Sequence, residues 1–133
     1  MTIDLSKLIT AEDKFISAKD AKRAQINAAT LAAIDAGFEH QGHVYDSDAR
    51  SQTNIIGCAN AVAAGVPLPA DFTWRTKSNE NVPIDGPGVI ALGAGLLQHV
   101  NAQYAISWTL KAEIEAAATP KDLDAIRWPE PAA

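Results

Sequence analysis

The sequence predicts an α+β fold, mainly helical, with three main helices and two small β-ribbons. Three observations predict it. Two aromatic stretches, Gly37-Phe-Glu-His-Gln-Gly-His-Val-Tyr-Asp-Ser-Asp and residues 74–92, each read as a short ribbon running at once into a helix. Thr10, the Asp46-Ser-Asp run and Asp85 stand where a helix needs an N-cap. Gly37, Gly65 and the prolines of Val66-Pro-Leu-Pro-Ala-Asp punctuate the chain between those segments.

In chain order, Thr10 is the expected cap of a first helix, with Glu12 and Asp13 in the turn where the helix dipole favours acids. It should run to about residue 36, where Gly37 tolerates the left-handed conformation that ends a helix. Residues 11–23 are charge-rich, with Lys22 on the face of Phe15, Ala18 and Ala29, and read as a solvated arm. Residues 24–36 are small or apolar and read as the half that docks. Phe38–Gln41 and His43–Tyr45 flank Gly42 as a tight hairpin.

Asp46, Ser47 or Asp48 then caps a second helix over residues 49–64, whose buried side is expected from Ile55, Ile56, Ala59, Val62 and Ala63. Each proline of the following connector fixes its own backbone and pushes its predecessor out of the helical region. Phe72-Thr-Trp-Arg-Thr alternates as a strand, and Val82-Pro-Ile returns along it as an edge, since Pro83 has no N–H to donate.

Asp85, with Pro87 in the first turn, begins a long helix to about residue 117. Leu92, Leu96, Val100, Ile106, Leu110 and Ile114 share one face; Ile90, Leu97, Tyr104 and Trp108 form a second beside it, an apolar arc of about 200° in the first half. Thr119-Pro-Lys-Asp caps a last short turn, after which Ile126 and Trp128 pin the chain. The expected organisation is an N-terminal segment and helical arm over residues 1–23, a single domain over 24–128 and a tail over 129–133.

Composition bounds the function. With 20% charged and 47% hydrophobic residues in 133, the chain has material for a modest core and none of the signature of disorder. The net charge of -5 spreads as 0, -3 and -2 over residues 1–36, 37–85 and 86–133, with no basic block. Binding to nucleic acid or an anionic membrane surface is therefore disfavoured, because both need clustered Lys and Arg. Met1-Thr-Ile-Asp-Leu-Ser-Lys lacks a positive region before an apolar core, and no run of about 18 apolar residues follows, so neither a secretory signal nor a membrane span is expected. The single cysteine, Cys58, lies in an apolar helical pattern and reads as a small buried hydrophobe.

No constellation points to catalysis, a cofactor or a metal. His40 and His43 have His-x-x-His spacing near Asp46 and Asp48, but residues three apart on a strand point to opposite faces, and no Cys-x-x-Cys or His-Glu-x-x-His is present. Asp46 and Asp48 are explained more simply as caps than as a metal-binding acidic pair. Ser47, Ser51 and Ser107 lack a nucleophile elbow. Gly86-Pro-Gly88 and Gly93-Ala-Gly95 lack the lysine of a phosphate loop, and Gly93 and Gly95 are expected to admit another helix or the Trp74 ribbon. Trp74, Trp108 and Trp128 read as core anchors. The second apolar face of the long helix needs cover, so the protein is expected to form a homo-oligomer or to bind a partner. Phe15, Ile26, Leu92, Leu96, Val100, Ile106 and Leu110 are the expected partner-binding residues.

Over residues 24–128 the chain resembles a small domain family of unknown function encoded in tail gene regions of bacteriophages and prophages, similar to C-terminal parts of tail fibre assembly proteins. The resemblance is carried by Ala36-Gly-Phe, Tyr45-Asp-Ser-Asp, Gln52, Ile55-Ile-Gly, Trp74-Arg-Thr, Asn79, Val82-Pro-Ile and Ile126-Arg-Trp. It implies a non-enzymatic tail-associated protein, either assisting fibre assembly in the host cytoplasm or forming a small fibre or baseplate component of the virion. A tail fibre or baseplate protein is then the expected partner. The alternative is a small phage-encoded regulatory protein that binds a host protein.

Overall fold

The computed structural model describes residues 10–130; the expectations for residues 1–9 of the N-terminal segment and 131–133 of the tail lie outside them. The elements are α1 (Ala11–Asp35), β1 (Phe38–His40), β2 (His43–Tyr45), α2 (Ala49–Ala63), β3 (Thr73–Arg75), β4 (Asn81–Pro83), α3 (Gly86–Ala116) and α4 (Pro120–Asp124). Three long helices with two antiparallel two-stranded ribbons make the predicted α+β fold. The described residues form two compact units, one running up to Thr30 and taken up again from Ala105, the other Leu31–Tyr104. Both α1 and α3 run from one unit into the other.

In the first unit α1 starts as predicted. The Asp13 amide donates to Thr10 Oγ1 at 3.0 Å and the Thr10 amide to Asp13 Oδ2 at 3.3 Å, so two amides that a helix start leaves orphaned are satisfied. The core consists of Ile26 with Leu110, Ile114, Ala117, Leu123 and Ile126, and Phe15, Ile106 and Trp128 pack against it. Each Leu or Ile buried there is worth about 1.5–3 kcal/mol.

The charge-rich half of α1 is exposed along most of its length, as expected of a solvated arm, but it is anchored to this core. Phe15 joins the core, Lys19 Nζ lies 5.1 Å over its ring centroid and donates to the Glu115 carbonyl at 3.1 Å, and Lys22 Nζ donates to the Ile126 carbonyl at 3.2 Å. Long lysine stems can cover apolar surface while the ammonium reaches a polar atom, and a charge count misses this. Thr119 and Asp122 form the predicted capping box of α4: the Asp122 amide donates to Thr119 Oγ1 at 3.2 Å, and Asp122 Oδ2 accepts from the Thr119 amide at 3.1 Å.

In the second unit β1 and β2 pair as Phe38↔Tyr45, Glu39↔Val44 and His40↔His43. The turn residues Gln41 and Gly42 have φ of 50° and 82°, the left-handed pair that a two-residue hairpin requires. Gly37 is demanded twice: its φ is 102°, and a Cβ there would stand 3.1 Å from the Tyr45 carbonyl oxygen. β3 and β4 pair as Thr73↔Pro83, Trp74↔Val82 and Arg75↔Asn81. The core is Phe38, Tyr45, Ile55, Leu92 and Leu96, with Trp74, Ile84 and Val100 against it.

The start of α2 departs from its expected chemistry. Asp48 holds the N-cap position, and the firmest bond of its side chain is the one it accepts from the Ser51 hydroxyl at 2.5 Å. Ser47 is fully buried, its Oγ donating to the Ile34 carbonyl at 2.5 Å and accepting from the Gly37 amide at 2.9 Å. The same Ile34 carbonyl lies 3.0 Å from His99 Nε2, and Lys77 Nζ donates to the Ala36 carbonyl at 2.5 Å. Of the run read as capping α2, Asp48 therefore takes the N-cap position while Ser47 serves the end of α1, where carbonyls lacking helical partners attract donors and cations. Gly93 and Gly95 admit neighbours as expected, though the ribbon involved is the first. A Cβ on Gly93 would meet Ala59 Cβ of α2 at 3.3 Å, and one on Gly95 would meet His40 Nδ1 of β1 at 3.0 Å.

Candidate functional site

α3 carries no Asp, Glu, Lys or Arg from Gly86 to Leu110, and the chain carries none from Ser51 to Ala70. In the second unit the first face of α3 places Leu92 and Leu96 in the core. Its second face stays open: Ile90 is 46% exposed and Leu97 61%. The small residues Gly93 and Ala94 lie between, and the close approach of α2 at Ala59 makes them the floor of a hollow.

The result is an apolar groove of about 330 Å³. Gln52, Ile56, Ala59 and Asn60 of α2 line it with Ile90, Gly93, Ala94, Leu96, Leu97 and Val100 of α3. Ile56, expected on the buried side of α2, stands 49% exposed on its rim because α3 covers the Ile55 side and stops there. Gln52 Nε2 donates to the Ser47 carbonyl at 2.8 Å, so the polar lining is partly occupied internally. No acid, base or nucleophile lines the groove; its chemistry is apolar contact.

The seven residues expected at a partner surface belong to the interior. Ile26 and Leu110 are buried in the first unit's core, with Phe15 and Ile106 packed against it; Leu92 and Leu96 are buried in the second unit's core, with Val100 against it. The face of α3 richest in large apolar residues is the one the fold covers first, which corrects the assignment of Phe15, Ile26, Leu92, Ile106 and Leu110 to a partner. Leu96 and Val100 still reach the groove from below. Of the tryptophans, Trp74 and Trp128 pack against cores as expected, whereas Trp108 is 67% exposed.

The remaining constellations are structural in their contacts. His40 and His43 are direct cross-strand partners on one face, because the two-residue turn returns the chain in register, and this corrects the expectation of opposite faces. Their rings lie 6.4 Å and 6.3 Å from that of Tyr45. Burial pushes the Tyr45 hydroxyl above its ordinary pKa. Among the described residues no group of three or more His, Cys, Asp and Glu could hold a metal ion, and every buried side-chain nitrogen and oxygen has a partner. Cys58 is half-buried. Among the described residues no helix is long and apolar enough to cross a membrane.

Comparison with known proteins gives one family. A domain of unknown function (DUF4376) matches residues 17–127, most of the chain. No curated protein and no solved structure matches. The chain belongs to the DUF4376 family.

Proposed function

We propose that this DUF4376 member is a non-enzymatic bacteriophage tail-associated protein working through protein–protein contact. It either assists tail fibre assembly in the host cytoplasm or stands in the virion as a small fibre or baseplate component. The observation that carries the contact half of this reading is the open groove between α2 and α3, rimmed by Ile56, Ile90 and Leu97. Large apolar side chains grouped around a hollow with no charge are the composition of an interface core rather than of an ordinary surface. The tail half rests on the resemblance carried by Tyr45-Asp-Ser-Asp, Trp74-Arg-Thr and Ile126-Arg-Trp. The partners are a tail fibre or baseplate protein and further copies of the chain.

The test is co-expression of the tagged protein with the fibre and baseplate products of the same phage or prophage, followed by mass spectrometry of purified virions. Co-purification with a fibre product and absence from virions identifies an assembly factor. Presence in virions identifies a component. A protein absent from virions that retains neither product would overturn the proposal.

A further inference from the structure

The geometry points to a second copy of this chain as the occupant of the α2–α3 groove, in a two-fold dimer whose α3 helices cross antiparallel. The inference rests on the reading of the groove as an interface. Charge is the first argument. The chain carries a net charge of -5, which disfavours self-association in general, yet residues 51–70 and 86–110 contain no Asp, Glu, Lys or Arg. This face can meet its own image without like charges opposed, and it offers no complement to a charged partner.

Shape is the second argument. The ridge of Ile90 and Leu97 stands directly beside the hollow over Gly93 and Ala94 on the same helix. Ile90 and Leu97 are seven residues apart, two helical turns, and therefore rise from one stripe. A two-fold axis near Ala94 opposes the small residues of the two copies to one another and brings Leu97 of each chain against Ala91 of the other, large against small, the self-complementary condition of an isologous interface. Small residues at the crossing let the helices approach closely.

Area is the third. Residues 86–104 of α3 offer about 28 Å of helix by its rise for the crossing, with α2 alongside, and a specific interface has to bury on the order of 1,000 Å² or more.

Sedimentation velocity on the full-length protein over a broad concentration series tests this, with Leu97→Asp and Ile90→Asp beside it and melting curves as the folding control. Both positions face solvent, so at dilutions where the wild type is monomeric the variants melt close to it. The wild type is expected to pass from monomer to dimer, and each aspartate to weaken dimerisation about a hundredfold or more by placing a charge in the apolar contact. In a Cys58→Ser background, Ala94→Cys should oxidise to a self-linked dimer faster than Cys at the outlying, exposed Ala112. A wild type that stays monomeric throughout overturns the inference, and so does a dimer indifferent to both aspartates that fails to cross-link at position 94. If the wild type is monomeric but Leu97→Asp abolishes co-purification with a tail product, the groove holds that product; self-docking falls and the proposed function stands.

Discussion

At the scale of single residues, backbone conformation explains more than side-chain chemistry. Gln41 holds φ of 50° in the first hairpin turn, where a side chain is strained and glycine or asparagine is not. Gln41→Gly is expected to raise the unfolding free energy, read from the denaturant midpoint, by about 0.5 kcal/mol, the strain relief being partly cancelled by greater freedom of the unfolded chain. Ser47→Ala should cost about 1–3 kcal/mol, because it leaves the half-buried Gly37 amide without its acceptor and the Ile34 carbonyl without one of its donors. A loss below about 0.5 kcal/mol in urea unfolding would contradict that assignment.

Asp122 adds a pH signature. The Ala118 amide, with the Thr119 hydroxyl and amide, holds its carboxyl below the usual value. The stabilisation is therefore present above the unfolded pKa, about 3.9, and lost as pH falls through the lower folded value. Asp122→Asn is expected to melt earlier than wild type at neutral pH, with the two curves converging in acid. Hydrogen bonding to Arg23 lowers Glu115 in the same direction, but that ion pair is solvent-exposed and adds little to the acid response.

At the scale of elements, helix ends and ribbon joints carry the stability. The end of α1 gathers Ser47, Lys77 and His99, and Lys77 also joins the ribbons through its amide, which donates to the Val44 carbonyl at 2.8 Å. Trp74 is half-buried against the second unit's core, and Trp74→Ala is expected to cost about 2–4 kcal/mol, somewhat less than a fully buried tryptophan. Trp108→Ala, at a position 67% exposed, should cost less than about 1 kcal/mol. Equal losses in the two variants would refute the burial pattern. Most of these elements were legible from local rules: Gly37 and Gly42 marked the first hairpin, and Thr10, Pro87 and Thr119 marked helix starts within a residue of where they occur. The cap of α2 was not, because three candidate residues stood together and only the chain thirteen positions earlier decides which one is used.

At the scale of the whole molecule, each of the two units has its own core, and α1 and α3 are shared between them. The charge-rich start of α1 belongs to the first core through Phe15. Removing residues 1–23 is expected to lower hydrogen-exchange protection in residues 106–126 and to depress the melting point, rather than trimming a dispensable arm. Unchanged protection there would refute the anchoring. In the second unit, the buried area is used on the Leu92 and Leu96 side of α3, which leaves Ile90 and Leu97 for an outside contact.

The sequence by itself determined the elements and the existence of a surplus apolar face. Capping, left-handed glycines and helical periodicity act within a few residues, and an arc of about 200° on one helix is wider than a single packing partner covers. Only the tertiary structure decided which part of that arc faces out. Leu92 and Ile90 are equally apolar, and their fates separate only when α2 and the first ribbon take one side. The groove exists for the same reason: Ala59 meets Gly93 across 34 positions of sequence, and hydrophobicity, being non-directional, specifies that a face be buried without specifying by what.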